Sequence, residues 1–119
     1  MKGTITADHT ASVGVTILES GGVHTCVVDT GFTEFLYLPA NVIAAWNLVF
    51  LVSTPIELAD GSTVITDVYE ATLEWFGVFI RATVIAGPAG CDSLIGMQLL
   101  EGCRIELDAA NAEIRIDKL

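Results

Sequence analysis

Apolar and polar residues alternate with a period of two along most of this chain, the spacing of a half-buried strand rather than of a helix. The pattern is clearest near the end. Arg104-Ile105-Glu106-Leu107-Asp108 and Glu113-Ile114-Arg115-Ile116-Asp117 flank residues 109–112. That predicts a hairpin with Ile105, Leu107, Ile114 and Ile116 on one face. β-Branched runs over residues 1–7, 12–18 and 23–28 predict three more strands, with a Glu19-Ser20-Gly21-Gly22 turn before the third. Residues 35–38 read as another short strand. Ala59-Asp60-Gly61-Ser62 stands between residues 54–58 and 63–75, and Asp-Gly between alternating segments is the strongest short-range hairpin signal. Gly77 marks a turn before a strand over 78–86. Gly87-Pro88-Ala89-Gly90 is a loop, and Ser93-Leu94-Ile95 a short apolar strand.

Helical spacing is confined to two places. Pro39 suits the first position of a helix over 41–47, with Val42, Ile43 and Trp46 on one face. Residues 96–100 fit a single turn. The pattern predicts an all-β domain over residues 1–119 with one or two short helices, and no linker, low-complexity tract or solenoid repeat interrupts it.

Composition narrows the function. Lys and Arg number 5 against 15 Asp and Glu, a net charge of −10, so the surface repels phosphate backbones and anionic lipid heads; no nucleic acid and no membrane is expected as a partner. Apolar residues make up 52% and charged residues 17%, more apolar surface than a small interior hides, which points to a subunit interface. The longest apolar run, residues 42–52, is interrupted by Asn47 and is too short to span a bilayer. Met1-Lys2-Gly3-Thr4 is not a basic-then-apolar leader, and Cys26, Cys91 and Cys103 are odd in number without a CxxC. Both features point to reduced thiols in a cytoplasmic protein.

One echo carries chemistry. An apolar strand runs into a glycine turn twice, at Val27-Val28-Asp29-Thr30-Gly31 and at Leu94-Ile95-Gly96, with the two glycines 65 positions apart. Together with Phe32-Thr33, Leu36-Tyr37-Leu38-Pro39, the Asp60-Gly61 hairpin and Met97-Gln98-Leu99-Leu100, the set resembles the single-lobe, retropepsin-like aspartic proteases of the small prokaryotic type. The likeness runs over about residues 10–108.

The resemblance implies a closed β-barrel with a flap hairpin, and peptide hydrolysis by two carboxylates that share a proton and hold a water between them. The chain offers one Asp-Thr-Gly, hence half a site. The second Asp29 would come from another copy across a two-fold axis. Thr30 would brace the two active-site loops across that axis, and Gly31 would let the backbones approach. Residues Ala59, Asp60, Gly61 and Ser62 would form the flap over an extended peptide or protein substrate, and Leu94, Ile95 and Gly96 the cleft floor. No cofactor and no metal is implied.

The sequence departs from the retroviral members in three respects. Phe32 replaces the small residue after the glycine. Met97 and Thr33 stand where an ion pair would be, and the tail forms its own hairpin, so the terminal-strand dimer sheet is expected to be rearranged. Other constellations are thin. His9, His24 and Cys26 have no metal-ligand spacing, Ser12, Ser20 and Ser93 lie in no nucleophile elbow, Asp67, Glu70 and Glu74 read as a solvated strand face, and Trp46 and Trp75 as core or interface aromatics. The expected function is an aspartic endopeptidase acting as a homodimer. The alternatives are a catalytically silent peptide-binding module with the same fold, and a structural oligomerisation domain.

Overall fold

Pairing the alternating segments hides their apolar faces and satisfies their backbone groups together. The computed structural model describes residues 1–119. Its strands are β1 (Lys2–Ile5), β2 (Ala11–Ile17), β3 (Gly22–Val28), β4 (Leu36–Pro39), β5 (Val49–Glu57), β6 (Thr63–Trp75), β7 (Val78–Gly87), β8 (Leu94–Ile95), β9 (Cys103–Asp108) and β10 (Glu113–Lys118). The helices are α1 (Ala40–Ala45) and α2 (Met97–Leu100), with a 3-10 turn over Leu18–Ser20. The fold is all-β, as the alternation predicts.

The strands lie in the order β5-β6-β7-β4-β8-β3-β2-β1-β10-β9, and β2 also pairs with β6 at Thr16↔Glu74 and Ile17↔Leu73. That extra pairing brings the sheet back on itself, so β6, β7, β4, β8, β3 and β2 form a closed circuit of neighbours. Inside it, alternate residues face inward: Val13, Val15 and Ile17 of β2, Leu36 and Leu38 of β4, Leu73 of β6, Val84 of β7 and Ile95 of β8 are all buried. Each such side chain contributes about 1.5–3 kcal/mol by leaving water. Trp75 is buried with them, and Trp46 packs half-buried on the cluster. No helix is long and apolar enough to cross a membrane.

Three elements differ from the sequence pattern. The helix starts at Ala40, with Pro39 ending β4 in extended geometry as its N-cap. It stops before Asn47, whose φ of 53° turns the chain left-handed, the habit of asparagine after a helix. Strand β5 begins at Val49 rather than Thr54, and its register shifts between Phe50 and Val52. Its first half is apolar on both faces, so no alternation announces it. Leu107 is 62% exposed although it faces Ile114, which is fully buried. β9 is the outermost strand there, and nothing covers its far end.

Candidate active site

Two parallel strands set the site. β3 and β8 pair in parallel register, Val27↔Leu94 and Val28↔Ile95, so both leave the barrel at the same end. The two glycine turns 65 positions apart in sequence thus become neighbours. The Asp29 N–H donates to the Ile95 carbonyl at 3.0 Å, one step beyond the last strand pair. The loop then folds over β8: Gly96 N–H donates to Phe35 O at 3.0 Å and Met97 N–H to Phe32 O at 2.8 Å.

Gly96 makes this possible. A Cβ there would collide with the Glu34 carbonyl and stand 2.5 Å from Phe32 Cδ2 and 2.6 Å from Phe32 O. Only a residue without a side chain lets the loop lie this close. Gly87 does the same for Tyr37, whose hydroxyl and Cε1 a Cβ would meet at 2.5 and 2.6 Å.

Asp29 is half-buried on the wall of a cleft of about 510 Å³. Its Oδ1 accepts the Gly31 N–H at 2.9 Å, which fixes the carboxylate rotamer, and its carbonyl accepts the Phe32 N–H at 3.2 Å. Pro55, Ile56, Glu57, Leu58 and Ala59 on the arm of the β5–β6 hairpin line the cleft too, together with Tyr37, Ile85 and Leu94. Phe32 and Tyr37 meet edge to face with centroids 5.9 Å apart. Burial, with the nearby Cys91 thiol, pushes the Tyr37 phenol up, so it stays a neutral donor.

Among the residues expected from sequence, Asp29, Gly31, Ala59 and Leu94 line the cleft. Thr30 is exposed, and its hydroxyl has no hydrogen-bond partner within the chain. Asp60, Gly61 and Ser62 form the exposed hairpin tip outside the lining, closed on itself as Asp60 Oδ1 accepts the Ser62 N–H at 2.9 Å and its hydroxyl at 2.6 Å. Ile95 and Gly96 are buried behind the wall, holding the loop rather than facing the cleft. Met97 is 44% exposed, and Thr33 lies on the cleft wall.

Sequence reasoning missed Glu34, Tyr37, Glu57 and Ile85. A signal for Tyr37 existed: Leu36 and Leu38 point into the core, so the residue between them points out. The rival constellations resolve into structure. His24 Nε2 and Ser93 Oγ are 2.7 Å apart, and the ring stands edge-on to Trp46 at 4.7 Å. Burial pushes the Cys26 thiol up to about 12, which makes it an inert apolar group. No three His, Cys, Asp or Glu side chains are grouped to hold a metal.

A retropepsin-like aspartic protease from Rickettsia conorii superposes on 99% of this chain and 89% of its own, with a TM-score of 0.70 and 14% identity. The fold is retropepsin-like. EIAV protease, solved with the inhibitor HBY-793, matches 82% of this chain and 91% of its own at a TM-score of 0.59 and 17% identity. No protein-family profile matches the chain, and no curated protein matches it. The retropepsin-like arrangement therefore rests on three-dimensional agreement at low identity.

Proposed function

We propose that this protein is an aspartic endopeptidase that works as a cytoplasmic homodimer, residues 1–119 forming one catalytic domain per subunit. The observation that carries the reading is the single Asp29 carboxylate, oriented by the Gly31 N–H on the wall of a cleft, in a fold shared with aspartic proteases. One carboxylate cannot be both base and acid, so the reaction needs a second copy. Two features support assembly. The Thr30 hydroxyl is free for a partner, and apolar side chains including Phe50, Leu51 and Phe79 are exposed. Three unpaired thiols accord with a reducing compartment.

In the dimer, a water lies between the two Asp29 carboxyl groups, which share one proton. The ionised carboxylate takes a proton from the water as its oxygen attacks the peptide carbonyl carbon. The protonated partner hydrogen-bonds the carbonyl oxygen as charge develops there. Collapse of the tetrahedral intermediate breaks the C–N bond, and the amine leaves with a proton from the pair. The substrate lies extended between the Ala59–Ser62 hairpin and the Leu94 wall, and closure of the hairpin excludes water.

Two measurements test this. Sedimentation at micromolar concentration should give about twice 12.6 kDa. Asp29→Asn should abolish cleavage of a peptide that the parent cuts, while leaving the dimer intact. A strictly monomeric parent, or an active Asp29→Asn, ends the proposal. A dimer that binds peptides yet cleaves none between acidic and neutral pH is the peptide-binding module instead, a reading that the bulk of Phe32 on the cleft wall favours.

A further inference from the structure

The charges of the chain are segregated. Four of its five basic residues, Lys2, Arg104, Arg115 and Lys118, belong to the terminal strands β1, β9 and β10. The fifth, Arg81, is exposed on β7 opposite Thr72. None lines the cleft. The cleft wall instead carries Glu34 and Glu57 in addition to Asp29. Glu34 is half-buried and Glu57 exposed, and neither is among the side chains that form ion pairs or side-chain hydrogen bonds. They come from separate elements, Glu34 from the loop after Asp29 and Glu57 from the end of β5. The same lining carries apolar and aromatic side chains: Phe32, Tyr37, Ile56, Leu58, Ile85 and Leu94.

Such a cleft discriminates by charge as well as by shape. A carboxylate that shares a partly desolvated groove with other carboxylates repels an acidic ligand and attracts a cationic one. The effect is larger at half-buried Glu34 than at exposed Glu57, where salt screens it. We propose that the cleft selects extended peptides that place a bulky apolar residue against Phe32, Tyr37 and Leu94 and a lysine or arginine nearby, each cation being received by Glu34 or by Glu57. In a two-fold dimer each carboxylate occurs twice, so basic residues are favoured on both sides of the scissile bond. This rests on the endopeptidase reading for its chemistry, but the selectivity is a property of the cleft and can be read by binding alone.

The test uses three synthetic peptides with one apolar centre and flanking Lys, Gln or Glu. The homodimer should cleave them with kcat/KM falling in that order, Lys over Glu by about twentyfold at low salt and by less as ionic strength rises. The same order should appear in anisotropy measurements of binding to Asp29→Asn. Glu34→Gln with Glu57→Gln should bring the three peptides to within about threefold of each other. Glu106→Gln with Glu113→Gln, on the terminal hairpin, makes the same change in net charge and should leave the preference standing. Equal handling of all three peptides, or a preference that survives in the cleft variant or vanishes in the hairpin variant, overturns the inference. If nothing is cleaved but Lys-flanked peptides still bind best through Glu34 and Glu57, the selectivity stands and the endopeptidase reading falls. Absence of binding by every peptide refutes the selectivity.

Discussion

Replacing Gly96 by alanine adds one methyl group, and the structure says where the methyl must go. It would overlap the Glu34 carbonyl and stand 2.6 Å from Phe32 O. Relieving the Phe32 O contact alone requires a retreat of the loop by roughly 0.8 Å, the Glu34 carbonyl demands more, and a close-packed interior has no slack of that size. Phe32 O accepts the Met97 N–H at 2.8 Å. The same retreat stretches that bond to roughly 3.6 Å, outside hydrogen-bonding range. Overpacking costs about 1–3 kcal/mol, and losing this half-exposed backbone hydrogen bond about 0.5–1.5 more. Gly96→Ala should therefore lose about 1.5–4.5 kcal/mol, a large part of the usual 5–15 kcal/mol total. Gly22→Ala is the control, because a Cβ at Gly22 meets nothing within 4 Å. Urea unfolding at one fixed protein concentration gives both values, the concentration being held because dimerisation shifts the midpoint. If Gly96→Ala falls within about 0.5 kcal/mol of Gly22→Ala, the close approach of loop to β8 is not what holds Asp29 in place.

Further outcomes follow from the same geometry. Cleavage should trace a bell in pH on the acid side of neutral, because the working pair of carboxyl groups holds one proton; a rate that climbs steadily through neutral pH contradicts it. The tip at Ala59–Ser62, exposed and tied only to its own arm, should exchange amide hydrogens far faster than Val27 or Ile95 in the barrel wall, and equal protection would end its role as a flap. His24→Ala strands the buried Ser93 hydroxyl and should cost about 1–3 kcal/mol, most of it recovered when Ser93→Ala is added. Burial holds the His24 imidazole below its ordinary range, so on acidification the unfolded chain takes up this proton first. The His24 contribution should be complete above about pH 6.5 and decline below it, and His24→Gln should flatten that part of the stability curve.

Regular alternation made much of the barrel legible. Ile105 facing Ile116 and the Asp60-Gly61 hairpin could be read because each residue type suits one backbone state. The start of β5 could not, because Val49-Phe50-Leu51-Val52 has no polar side to mark a face. Proximity of the two glycine turns is implied only by the resemblance to the retropepsin-like family, because the parallel pairing of β3 with β8 is a long-range event that local pattern does not encode. The cleft was half legible. Asp29 and its glycine stood in a motif, whereas Glu34, Glu57 and Ile85 reach the cleft only through the packing of distant strands. A lone glutamate in a sequence carries no mark of its neighbours.

The bond from Asp29 N–H to Ile95 O joins residues far apart in the chain, and this has a consequence for the order of events at the ribosome. A nascent polypeptide that has emerged only as far as the Gly87-Pro88-Ala89-Gly90 loop already contains Asp29 and the whole β5–β6 hairpin, yet lacks the strand that anchors the loop after Asp29. Until residues 93–97 arrive, that loop has neither the Ile95 carbonyl nor the Gly96 surface to settle on. Closing so long a segment is slow compared with forming the local hairpins. Asp29 thus waits for a strand that emerges more than sixty residues after it, and a chain cut short before residues 93–97 cannot hold Asp29 in its folded position.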